Sequence, residues 1–91
     1  MEQKETLNMT ISSVMRRNKE KVVYVRFERM GESGIEYAEA IVPKCSFDKI
    51  YGFSEEEIAQ LKFYLREHVL EIFDEAQKIN EQEFFLKPKF K

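Results

Sequence analysis

The sequence predicts one α+β domain: a three-stranded antiparallel β-meander, with room for a short fourth strand, packed against one long C-terminal α-helix. Three observations carry this. Up to about residue 51, apolar residues alternate with polar ones between clear turn signals. From Ile58 onward the apolar spacing changes to threes and fours, the period of a helix. The chain has 91 residues, enough for a single domain, residues 1–91, with one modest core.

Residues 1–7 are mostly polar and are expected to fray. In residues 9–15, Met9, Ile11 and Met15 fall on one side and Thr10 and Ser12 on the other, with Val14 out of phase. This is the first expected strand. Arg17-Asn18-Lys19-Glu20 is polar and turns the chain. Residues 21–30 form the second strand, rich in the β-branched and aromatic types that suit a pleated surface. Val22 to Val25 is apolar on both sides, so the alternation does not decide that strand's buried face. Gly31-Glu32-Ser33-Gly34 is the next turn. In residues 35–42, Ile35, Tyr37 and Ile41 share one side of a third strand, and Ala38, Ala40 and Val42 the other. Pro43 ends it, because proline cannot donate to the ladder. Residues 44–52 read as a loop with an extended piece at 47–51.

The helix, residues 54–79, has a legible start. Ser54 suits the N-cap and Glu57 completes a capping box. Phe53 and Ile58 occupy the positions of a hydrophobic staple. Glu55, Glu56 and Glu57 complement the positive end of the helix dipole. Ile58, Leu61, Leu65, Val69, Ile72, Ala76 and Ile79 make one stripe that should cover the sheet. Asn80 suits a stop. About 25 helical residues span roughly 37 Å. Strands of ~8 residues reach only about 27 Å, so the helix should overhang. A second band, Ala59, Phe63, Leu70 and Phe73, lies off the stripe, with Phe63 and Leu70 nearly opposite it. One sheet covers one side of a helix, so these two need another cover. Residues 81–91 form an aromatic and basic tail that carries Phe84, Phe85 and Phe90 with Lys87, Lys89 and Lys91.

Charge and composition narrow the function. Fifteen basic and seventeen acidic residues give a net −2, too balanced for the total to imply nucleic-acid or membrane binding. The distribution is polarised: residues 1–29 carry +3, 30–52 carry −2, 53–83 carry −6 and 84–91 carry +3. The first residues lack the apolar core of a signal peptide, and no window approaches a membrane span. The single cysteine excludes an internal disulfide and suits a reducing compartment, so a cytoplasmic location is expected.

No chemistry-bearing constellation stands out. His68 and Cys45 lack further His or Cys partners for a zinc set, so no metal ligand is expected. Cys45 reads as a small semi-buried residue after a strand and His68 as a boundary residue of the helix. Glu67, Glu71, Asp74 and Glu75 read as a solvated helix face with cationic neighbours. The chain has no Walker-type or GxGxxG loop. No catalytic residue and no cofactor are expected.

The sequence therefore points to a small non-enzymatic intracellular interaction or regulatory module, homodimeric or bound to another protein. The contact residues expected are Phe63, Leu70 and Phe73, with Phe84, Phe85 and Phe90 as their covers or partners. The alternative is a nucleic-acid-binding module using Arg16, Arg17, Lys19, Tyr24, Arg26 and Arg29 of the first hairpin. In architecture alone, a three-stranded sheet backed by a C-terminal helix resembles the arm-type DNA-binding domains of tyrosine integrases; no residue motif carries the likeness. A small enzyme or ligand carrier would instead need a pocket between sheet and helix lined by Tyr24, Tyr37 and Tyr51.

Overall fold

The computed structural model describes residues 6–86, and side chains as far as residue 81. It is an α+β fold with an antiparallel sheet of five strands and two helices. The strands are β1 (Asn8–Ile11), β2 (Met15–Arg17), β3 (Glu20–Gly31), β4 (Gly34–Val42) and β5 (Ser46–Tyr51). The helices are α1 (Glu55–Glu67) and α2 (Val69–Leu86). Sheet order is β1-β3-β4-β5, with β2 also paired to β3.

The expected first strand is two strands. β1 pairs with the second half of β3, ending at Ile11↔Val25, and β2 pairs with its start, from Met15↔Val22. Residues 12–14 therefore face only Val23 and Tyr24, one residue too many for a regular ladder. That bulge reverses the side-chain parity. Met9 and Ile11 lie on the core side before it, and Val14 after it. Val14 packs against the core, while Met15 is exposed. The out-of-phase Val14 was thus the mark of the bulge, and Met15 does not share a face with Met9 and Ile11. Ser12 holds the irregular segment: its N–H donates to the Tyr24 carbonyl at 2.9 Å, and its hydroxyl accepts from the Tyr24 N–H at 3.0 Å.

The turns follow their residues. Asn18 and Lys19 both have positive φ, 51° and 67°, between the paired Arg17 and Glu20. That is the two-residue turn whose twist matches a hairpin. Gly31 and Gly34 pair across Glu32-Ser33, and Gly34 takes φ 129°, which side-chain-bearing residues resist. The Val42–Pro43 bond is cis. The extended piece foreseen at 47–51 is β5, a full member of the sheet with a bulge opposite Glu39 and Ala40.

Val23, Val25 and Phe27 of β3 and Ala38, Ala40 and Val42 of β4 are buried. This settles the face of β3 that the sequence left open. Leu65, Ile72 and Ala76 from the helices close the core with Cys45. Phe47 of β5 stacks on Phe27, ring centroids 6.2 Å apart.

The expected single helix breaks at His68, where φ is −121° and ψ 20°. Neither Gly nor Pro marks the site. The break lets α1 pack along β5 and α2 along β3; one straight helix across a twisted sheet would leave its end hanging free. The capping box at Ser54 and Glu57 is present in both directions, at 3.1 and 2.9 Å. Asn80 does not stop the helix, which continues to Leu86. Its side chain is instead used inside the fold. The Asn80 Oδ1 accepts from the Val14 N–H at 2.8 Å, and its Nδ2 approaches the Val14 carbonyl at 3.5 Å. The amide thus stands in for a strand partner where the bulge breaks the ladder. The helical continuation also corrects the expectation of a separate tail from residue 81.

Candidate functional site

Two surfaces remain beside the core: the outer side of the helix pair and the sheet face turned away from it. The helix stripe Ile58, Leu61, Leu65, Val69, Ile72, Ala76 and Ile79 faces the sheet, buried or half-buried along its whole length. Phe63 and Leu70 therefore point away from it. Phe63 is 64% exposed and Leu70 84%. Phe73, expected to join them, is half-buried and packs against the core. Phe84 and Phe85 are carried on the helical backbone of α2, with side chains outside the described residues. Phe90 lies outside the described residues altogether.

Beside Leu70 runs a shallow groove between β1 and the helix pair. Met9 and Ile11 of β1, with Tyr64, His68, Leu70 and Ile72, line it, and Glu71, Asp74 and Glu75 form its rim. The Tyr64 and His68 rings meet at 4.3 Å, and the His68 Nδ1 lies 2.6 Å from the Glu71 carboxylate. β1 is an edge of the sheet, so its outer backbone groups border the same groove. Met9 and Tyr64 add exposed apolar surface there.

The six residues of the nucleic-acid alternative do not form one surface. Arg17, Tyr24 and Arg26 lie on the sheet face away from the helices. Arg16 and Arg29 fall on the opposite parity, and Lys19 sits at the tip of the turn. Arg26 is engaged by two carboxylates, Glu28 at 2.6 Å and Glu39, and its guanidinium lies 4.4 Å from the centre of the Tyr37 ring.

Arg29 is a structural clamp. It donates to Glu36 at 2.7 Å, to both oxygens of Glu57 at 2.8 and 3.0 Å, and to the Gly52 carbonyl at 3.0 Å. It also lies over the Phe53 ring at 4.1 Å. Chiefly through the Arg29 bond, and next through the Ser54 N–H, the Glu57 carboxyl is held down to about 2. One carboxylate thus caps α1 and ties it to the sheet. Sequence reading missed this, although a signal was there. Arg29 has the parity of Val25 and Phe27, and a cation on a core face at the end of a sheet needs a carboxylate partner.

Tyr24, Tyr37 and Tyr51 do not line a pocket between sheet and helices, as a ligand carrier would need. They lie on the outer sheet face, where Tyr37 and Tyr51 stack at 5.9 Å. The depression on that face is lined by Arg17, Glu20, Tyr24, Glu39, Lys44 and Asp48 among others, with charges of both signs. Cys45 is buried, and burial pushes its thiol up against the opposing pull of Arg66 and Lys62. Among the described residues no three His, Cys, Asp or Glu side chains gather as a metal set, and no helix is long and apolar enough to cross a membrane. The chain matches none of the protein-family models, curated proteins or solved structures with which it was compared.

Proposed function

We propose that this protein is a small, non-enzymatic intracellular interaction module that self-associates as a homodimer through the outer side of its helix pair. The observation that carries the reading is Leu70. A leucine 84% exposed in the first turn of a helix buries little apolar surface among the described residues of its own chain. Phe63, one heptad earlier and also exposed, extends the same apolar line. Leu70 lines a groove with an apolar floor, and exposed apolar residues of this kind mark an interaction surface. A twofold contact is the commonest way for such a patch to be covered.

The test is sedimentation of the full chain over a range of concentrations. The wild-type protein should move from 10.9 kDa towards twice that mass as concentration rises. Leu70→Asp should stay at the lower mass with an unchanged circular dichroism spectrum. A wild-type chain that stays at the lower mass throughout, or a Leu70→Asp chain that still associates, would overturn the reading.

A further inference from the structure

We infer that the groove beside Leu70 receives residues 87–91 of a second copy of the chain, so that two chains exchange these segments reciprocally. The inference rests on the proposed self-association and names what fills its site.

Charge complementarity is the first argument. The groove rim carries Glu71, Asp74 and Glu75, with side chains 76%, 71% and 63% exposed. Lys78 lies 3.5 Å from Glu75 and 3.9 Å from Asp74 and offsets part of this. Counting it, residues 69–81 still carry four acids against one base. Residues 87–91 read Lys-Pro-Lys-Phe-Lys, three cations around one aromatic ring with no acid. Three lysines complement an acidic rim, and the Phe90 ring has the chemistry of the apolar floor at Met9, Ile11 and Leu70.

Reach is the second argument, and for the contact of Phe90 with Leu70 it selects a second copy over the chain itself. Leu86 lies sixteen residues beyond Leu70 on α2, about 24 Å along a helix. Phe90 is four residues past Leu86, about 13 Å fully extended. With the length of its own ring it still falls short of its own Leu70, and turning back would use some of that reach. In an antiparallel pairing of two α2 helices the end of one lies beside the start of the other. Each groove then meets the partner's residues 87–91, and the contact closes with twofold symmetry.

The experiment uses two full-length variants with opposite charge reversals. One carries Lys87→Glu, Lys89→Glu and Lys91→Glu; the other carries Glu71→Lys, Asp74→Lys and Glu75→Lys. Each alone should dissociate about tenfold more readily than wild type or worse, since both of its contacts set like charges together. Mixed in equal amounts, they should form a one-to-one heterodimer of wild-type strength, read by native mass spectrometry, because both exchanged contacts are again complementary. Phe90→Ala, which leaves the charges untouched, should weaken the wild-type dimer as well. If the lysine-reversed chain associates like wild type, exchange is overturned, and a monomeric Leu70→Asp beside it leaves self-association standing. If mixing restores nothing, the segment does not act between chains and the inference fails. If wild type never associates, both the inference and the reading beneath it fail.

Discussion

Replacing Arg29 with Met keeps the aliphatic stem and removes the guanidinium. Its side chain is 15% exposed, and the change leaves Glu36 and Glu57 without the cation that joins them. Hydrogen bonds to charged groups contribute roughly 1.5–3 kcal/mol each when well buried. Here the two carboxylates are 24% and 39% exposed, so solvent screens much of that. A loss of about 2–3 kcal/mol is expected in urea unfolding, or roughly 10–15 °C in melting temperature. The pH dependence gives an independent check. The Glu57 carboxyl is lowered from 4.5 to about 2 in the folded chain. A depressed carboxylate contributes stability above its unfolded value and loses it as pH falls through the folded one. The window is therefore pH 4.5 down to 2. After allowance for screening, wild type should lose about 1–2 kcal/mol there through this group, and Arg29→Met clearly less. A variant within ~0.5 kcal/mol of wild type and with the same acid slope would refute the clamp. Arg29 would then return to the cations on which a nucleic-acid reading rests.

Two further changes probe the irregular segments. Lys19→Gly should raise stability by about 0.5–1 kcal/mol in thermal unfolding, because it relieves a side chain at φ 67° in a turn that prefers glycine there. Asn80→Ala should cost about 1–3 kcal/mol and speed hydrogen exchange at the Val14 amide, which loses its acceptor at 2.8 Å.

What the sequence disclosed was what short-range chemistry writes. The capping box, the strand periods and the turn residues are local, and each appears where its residues stand. What it hid depends on partners far along the chain. The break at His68 has no local marker, since it follows from how a helix must cross a twisted sheet. Asn80 reads as a stop signal until the bulge sixty-six residues earlier gives its amide a backbone to bond. Arg29 reads as a surface cation until the turn after β5 brings Glu57 beside it. Phe63 and Leu70 were legible as uncovered because their positions follow from helical period alone. Phe73 was not, because the break and the packing of α2 on β3 decide how far its side of the helix is covered.

Leu65 and Leu70 offer a way to separate fold from association, since they are the same residue type one short step apart on the helical run. Leu65 is completely buried at the centre of the core, and Leu70 is 84% exposed. Leu65→Ala removes packed methyl groups and leaves a cavity, at an expected cost of about 2–5 kcal/mol. That cost should be the same at every protein concentration. Leu70→Lys removes no intramolecular contact of consequence, so at high dilution its unfolding should lie within about 0.5 kcal/mol of wild type. At high concentration the two variants should diverge in the opposite sense. Wild type and Leu65→Ala should gain stability as association draws on the folded chain, whereas Leu70→Lys should not. Urea titrations at two widely separated concentrations read both effects. A Leu70→Lys chain that loses more than about 1 kcal/mol at high dilution would place Leu70 in the fold itself. The surface on which self-association and segment exchange both rest would then have another owner within the same chain.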